Sequence, residues 1–88
     1  MNKRILIKVE QKHINLGLRG NCGNCPIAQA IKEQHKTTYV SVGSRDASIL
    51  LNKVMQHFTL PRVATRFINK FDMEYNCKPF NFYLKPKN

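Results

Sequence analysis

The sequence has 88 residues, 42% of them hydrophobic, which is enough for one domain (residues 1–88) with a single modest core. This apolar content argues against a disordered chain, and no apolar stretch approaches the about 20 residues of a membrane-spanning helix. Fifteen Lys and Arg residues against five Asp and Glu give a formal net charge of +10, and a field of that sign attracts polyanions.

The first half of the chain predicts two strands on either side of a helix. Apolar and polar residues alternate over 4–9, which predicts a strand with one buried face. A short helical turn is expected within 11–18, and after a loop rich in Gly and Asn a helix is predicted over 26–35. Residues 37–42 are β-branched and aromatic, which favours a second strand.

Residues 47–60 leave two alternatives. A helix would bring Ile49, Leu50, Val54 and Phe58 roughly onto one side, whereas a hairpin would turn at Asn52-Lys53. We favour the hairpin because Val and Phe prefer strands and Asn suits a tight turn.

The last third of the chain predicts a helix followed by a strand. The helix, over 60–72, has one apolar face made of Val63, Ala64, Phe67, Ile68 and Phe71. The strand starts at Pro79 and alternates Phe80, Phe82 and Leu84 with more polar residues. The order β-α-β-β-β-α-β predicts an α+β domain with a mostly antiparallel sheet and two main helices on one face.

The positive charge is spread evenly along the chain. Residues 1–44 carry seven basic and two acidic side chains and residues 45–88 carry eight and three, so each half has a net charge of +5. Because charged side chains are rarely buried alone, this charge belongs to the folded surface. Nucleic acid is the first partner that such a surface attracts, and the alternative is that the charge serves solubility.

One ridge of charge is placed by helical periodicity. Arg62, Arg66 and Lys70 follow one another at intervals of four residues, opposite the apolar face of the predicted helix. The functional interpretation is a row of phosphate contacts, with the two Arg residues as directional donors. The other interpretation is an ordinary solvated helix face. A second predicted row, on the outer side of the first strand and its continuation, consists of Arg4, Lys8 and Lys12. Further candidates for binding nucleic acid or an acidic partner are Lys32 and Lys36, one turn apart on the second helix, with Tyr83 as a ring for base stacking.

Cys22 and Cys25 are the weak candidates for a metal site. Their spacing is that of half a zinc site, but no second paired motif supplies the other half. A redox dithiol is a further alternative, because Cys25 precedes a predicted helix whose N-terminus would lower its pKa. The third alternative is that these are small thiols packed beneath the helix. We predict no metal and no cofactor.

Neither a catalytic set nor a secretion signal is evident. The five acidic residues and three histidines form no acid–base pair or nucleophilic triad, so we predict that the protein is not an enzyme. Lys8 interrupts the apolar run that follows Lys3-Arg4, so we predict no signal peptide. Because three cysteines do not suggest a disulfide-bonded module, a reducing cytoplasm is expected.

Several short strings resemble a family of small hypothetical proteins from bacteriophages and bacterial mobile elements. They are His13-Ile14-x-x-Gly17, Asn24-Cys25-Pro26-Ile27-Ala28-x-Ala30-Ile31, Leu60-Pro61, Phe67-Ile68-x-x-Phe71-Asp72 and Pro79-Phe80-x-Phe82. The resemblance covers most of the chain but supplies no catalytic or binding residue. It implies a phage accessory protein, a class rich in small inhibitors of host defence or polymerase machinery.

Three functional hypotheses follow. The first is a non-enzymatic nucleic-acid-binding protein that uses the Lys and Arg surface. The alternative is an anti-defence inhibitor, for example one like an anti-CRISPR protein, that docks on an acidic or nucleic-acid-loaded host protein. The third is a small zinc- or thiol-dependent protein that uses Cys22 and Cys25.

Overall fold

The computed structural model describes residues 4–87. Residues 1–3, on which the prediction of no signal peptide partly rests, lie outside this range. Five strands and three helices follow one another in the described residues. They are β1 (Ile5–Val9), α1 (Gln11–Leu16), α2 (Pro26–His35), β2 (Val40–Val42), β3 (Asp46–Leu51), β4 (Val54–Thr59), α3 (Arg62–Asp72) and β5 (Phe80–Pro86). The predicted α+β class and the order of the main elements are confirmed.

All five strands join in one curled antiparallel sheet, in the order β1-β5-β4-β3-β2. Strand β5 links the two halves of this sheet. Its first part pairs with β1, with Phe82 opposite Ile7, and its end pairs with β4, with Lys85 opposite Thr59. The C-terminal strand therefore lies next to the N-terminal one and closes the fold.

The hairpin predicted over 47–60 is confirmed, and the helix alternative is wrong. Strands β3 and β4 are joined by Asn52 and Lys53, whose φ angles are 51° and 64°. Two successive residues in the left-handed region make the kind of turn whose twist matches that of the two strands. The local turn chemistry therefore outweighs the helical spacing of the apolar residues.

One hydrophobic core lies between the helices and one face of the sheet. Both α2 and α3 contribute buried residues to the same cluster, which confirms that the two main helices cover one face. The largest side chains that are almost fully buried are Phe58, Ile7, Ile27, Ile31, Ile49, Leu84 and Val9. No helix within residues 4–87 combines the length and apolar character that crossing a membrane requires.

Two details of the sequence prediction are wrong. Val63, assigned to the buried face of α3, has 49% of its surface exposed, because the helix meets its neighbours through Ala64, Phe67 and Phe71. The second strand begins at Val40 rather than at residue 37. Thr37 uses its side chain instead, since its Oγ1 donates to the carbonyl of Leu50 over 2.7 Å.

Polar groups from neighbouring segments form hydrogen bonds with the backbone of both outer strands of the sheet. The amide of Gln34 accepts from the backbone N–H of Lys8 over 3.0 Å and donates to the carbonyl of Lys8 over 2.6 Å. It thereby replaces the backbone of a further strand beside β1. On the other side, the N–H of Val42 donates to the carbonyl of Cys22 over 2.8 Å.

A close contact between Gly17 and Pro26 fixes the path of the chain from α1 to α2. A Cβ atom added at Gly17 would lie 2.5 Å from the ring carbons of Pro26. We therefore expect Gly17→Ala to lower the free energy of unfolding by about 1–3 kcal/mol, the usual range for overpacking. Urea denaturation measures this. The matched control is Gly23→Ala, where the nearest atom would lie at 3.5 Å, and an equal loss in both variants would contradict the role of the contact.

A polar cluster joins α1 to α2. Lys12 Nζ lies 2.8 Å from one carboxylate oxygen of Glu33, and Nε2 of the buried His13 lies 2.8 Å from the other. The hydrogen bond from Lys12, and then that from His13, holds the pKa of Glu33 below its ordinary value of 4.5. The same carboxylate raises the pKa of Lys12.

The lowered pKa of Glu33 gives the cluster a defined dependence on pH. A carboxyl group whose pKa is lower in the folded state stabilises the protein above its unfolded pKa, and this stabilisation is lost as the pH falls through the folded pKa. We expect Glu33→Gln to be less stable than the wild type at neutral pH, and the difference to shrink below about pH 4.5. Urea denaturation across this pH range measures it. A difference between the two proteins that stays constant over this pH range would contradict the role of the ion pair.

Candidate functional site

The charged ridge predicted on the last helix lies on the exposed side of α3. Arg62, Arg66 and Lys70 are all exposed, at intervals of about one helical turn, while Phe67 and Phe71 face the core. An exposed helix face alone does not make a site. This helix face differs because residues 76–79, which we call the returning segment, run beside it toward β5.

A groove of about 490 Å³ separates α3 from this returning segment, and we call it the α3 groove. Its lining combines three cationic side chains with several apolar ones. The lining residues are Val63, Arg66, Phe67, Lys70, Asn76, Cys77, Lys78, Pro79 and Phe80. Arg66 and Lys70 of the predicted ridge thus share a site with Lys78, which the sequence analysis missed, whereas Arg62 lies outside the lining.

No carboxylate lines the α3 groove. Within residues 4–87, the acidic side chains form ion pairs with Lys12, His13 and Lys87 only. Arg66, Lys70 and Lys78 are therefore not neutralised by any described acidic group. Because Arg66 and Lys70 lie about one helical turn apart, their like charges repel each other, and a bound anion would relieve this repulsion.

Arg19 fixes a loop to the end of α3, next to the groove. Its Nε donates to the carbonyl of Phe71 over 3.0 Å, and its guanidinium lies 5.0 Å from the centre of the Phe71 ring. The carboxylate of Asp72 accepts from the N–H of Gly20 over 3.0 Å. A second cavity, of about 330 Å³, includes Arg19 and shares Asn76 and Cys77 with the α3 groove. A further positive group therefore lies beside the site.

The predicted row on the first strand occupies the other face of the sheet. Lys8 and Tyr83 alternate with buried neighbours, and the Arg4 guanidinium lies 4.8 Å from the centre of the Tyr83 ring. The α3 groove, by contrast, lies on the helix-covered side. Lys12 leaves the row altogether, since it belongs to α1 and pairs with Glu33. The two predicted rows therefore do not join into one surface.

The remaining basic candidates lie at α2. Lys32 is half-buried, and its ammonium group donates to the side-chain oxygen of Asn24 over 3.2 Å. Lys36 is exposed and ends the helix in the left-handed conformation, with φ of 48°. Neither residue lines the α3 groove.

Cys22 and Cys25 do not form part of a group of three close metal-ligating side chains in residues 4–87. Cys22 is exposed, whereas Cys25 is buried and its Sγ accepts from the N–H of Ala28 over 3.5 Å. The expectation that the helix N-terminus lowers the pKa of Cys25 is wrong. Burial raises this pKa, and the opposing hydrogen bonds from Ala28 and Ile27 are too weak to reverse the effect.

Glu10, His13 and Glu33 do lie close enough together to consider a metal ion. The tautomer of His13 argues against one. Its Nδ1 accepts from the backbone N–H of Glu10 over 2.9 Å, so the ring proton of the neutral form is on Nε2, the atom that faces Glu33. The nitrogen that faces the carboxylates therefore has no lone pair for a metal, and this cluster serves to join α1 to α2.

Comparisons with protein-family models, with curated proteins and with solved structures find no match to this chain.

The three thiols are expected to differ in reactivity. At neutral pH, Cys22 should react rapidly with a disulfide reagent such as DTNB, whereas the buried Cys25 should react only as fast as the fold opens. Partial burial also raises the pKa of Cys77, against the opposing charges of Lys70 and Arg19, so this thiol should react more slowly than Cys22.

Stopped-flow absorbance measures these rates. Cys22→Ser should remove the fast phase and Cys25→Ser should keep it. Zinc should not protect Cys22, because the described residues supply no third ligand beside the two thiols. A fast phase that survives Cys22→Ser, or protection by zinc, would overturn this assignment.

Proposed function

We propose that this chain is a non-enzymatic nucleic-acid-binding protein that holds a phosphate backbone in the α3 groove. The observation that carries the proposal is the convergence of Arg66, Lys70 and Lys78 on one groove without a carboxylate. The net charge of +10 adds a long-range field that attracts polyanions toward the molecule.

The three cations have complementary roles in this proposal. The planar guanidinium of Arg66 offers paired donors to phosphate oxygens, whereas Lys70 and Lys78 act as point charges. Arg66 and Lys70 lie one helical turn apart on a rigid element, and Lys78 faces them from the returning segment. A backbone that runs along the groove would be contacted from both sides.

The groove lining favours binding over catalysis. Among residues 4–87 it contains neither a carboxylate nor a histidine, the side chains that most often act as a general base. Its thiol, Cys77, has a pKa that burial raises, which makes it a poor nucleophile at neutral pH. The inhibitory role that the phage resemblance implies stays a prediction.

Two charge-matched variants test the proposal. The groove variant carries Arg66→Gln, Lys70→Gln and Lys78→Gln, and the control carries Arg45→Gln, Lys53→Gln and Lys85→Gln at exposed positions outside the groove. Both lower the net charge from +10 to +7. Because each lost phosphate contact reduces the salt slope of log affinity by about one, the groove variant should lose about two to three.

The measurement is fluorescence anisotropy with generic DNA and RNA oligonucleotides over a salt series. The control variant should retain nearly the wild-type slope. Equal losses in both variants would show that binding is diffuse rather than centred on the groove. If the wild type binds neither DNA nor RNA at low salt, the proposed function is wrong, and an acidic protein partner becomes the better hypothesis.

A further inference from the structure

The α3 groove contains more apolar surface than phosphate binding requires. Val63, Phe67, Pro79 and Phe80 line it together with the three cations. Phosphate contacts need only hydrogen-bond donors and positive charge. An ordinary polar surface supplies both. The apolar part of the lining therefore indicates that the ligand has an apolar part as well.

Val63 is the most informative of these residues. Its 49% exposure is unusual for an apolar residue whose spacing places it near the buried face of an amphipathic helix. It precedes Arg66 by one turn, so an apolar side chain and a cation lie side by side along the groove.

The aromatic part of the lining is held rigidly. The rings of Phe67 and Phe80 have centroids 4.7 Å apart and planes tilted by 31°, and Phe80 packs in turn on Phe82 at 5.4 Å. Phe67 is buried and Phe80 is partly buried, so only part of this aromatic wall is available to a ligand. Because these rings are already packed against one another, they lose little conformational entropy when a flat group packs against them.

We infer that the α3 groove takes an unpaired base of a single-stranded nucleic acid, with its flanking phosphates on Arg66, Lys70 and Lys78; this inference rests on the proposed function. A nucleotide joins a flat, largely apolar ring system to an anionic phosphate. This combination matches a lining in which apolar side chains lie beside cations. In a duplex the faces of the bases are stacked inside, and only the base edges and the backbone are accessible. Reaching the groove from a duplex would require a base to leave its stack, which is unfavourable. The site therefore discriminates in favour of single strands.

A tryptophan placed in the groove makes the test direct, because the chain has none of its own. Val63→Trp puts the reporter in the groove, at a position exposed enough to accept it. Val54→Trp is the matched control, since Val54 is 57% exposed at the start of β4 and lies outside the groove lining. Circular dichroism verifies the fold of both variants.

Four probes of equal length are titrated: a short oligothymidylate, its abasic deoxyribose-phosphate counterpart, a duplex, and polyglutamate. We expect oligothymidylate to quench the fluorescence of Val63→Trp but not that of Val54→Trp. Because stacking on an aromatic group contributes about 1–3 kcal/mol per base, wild-type protein should bind oligothymidylate roughly five- to 150-fold more tightly than the abasic strand. Val63→Ser should lose part of this preference.

The outcomes separate this inference from the proposed function. Equal binding of the thymidylate and abasic strands without quenching would overturn base insertion while phosphate binding stands. Tighter binding of the duplex than of oligothymidylate would overturn the single-strand preference. Polyglutamate binding as tight as that of oligothymidylate would indicate an acidic protein partner, and failure of all three nucleic-acid probes to bind at low salt would refute the proposed function as well.

Discussion

The contact between the rings of Phe67 and Phe80 determines where α3 lies relative to β5, and the α3 groove depends on it. Phe67 is the next residue after Arg66, and Phe80 follows Lys78 by two residues, so packing the two rings together brings the cations to one place. A buried aromatic pair contributes about 0.5–1.5 kcal/mol beyond the area that it buries, whereas a like-charge pair at helical spacing costs a few tenths of a kcal/mol. Apolar packing is therefore strong enough to hold mutually repelling charges together.

The few carboxylates explain why this charge remains uncompensated. Glu33 is engaged by Lys12 and His13, Asp46 by Lys87, and Asp72 by the backbone of Gly20. Each of these contacts joins residues that lie far apart in the sequence, so these three acidic groups help to hold the fold together. The cationic side chains of the α3 groove form no ion pair with these carboxylates and are accessible to an external anion.

Features that depend on neighbouring residues in the chain could be predicted from the sequence. Asn52-Lys53 specifies a hairpin turn, Pro26 begins a helix at its first position, and alternation marks β5. The exposure of Val63 and the arrival of Lys78 beside Lys70 depend on how α3 packs against β5, which no local pattern encodes. Helical spacing therefore identified Arg66 and Lys70 but could not show which third cation joins them.

The side-chain amide of Gln34 forms hydrogen bonds with both backbone groups of Lys8, and these bonds bear on whether copies of the protein pair through their sheets. Unpaired strand edges are where one chain adds its strand to the sheet of another, and this route leads to aggregation. Here the backbone of Lys8 in β1 is bonded to Gln34, and the N–H of Val42 in β2 is bonded to the carbonyl of Cys22. A cationic protein gathers at high local density along a polyanion, where such additions would be most frequent. Because the backbone groups of Lys8 and Val42 already form hydrogen bonds within the chain, they are not open to a strand of a neighbouring copy.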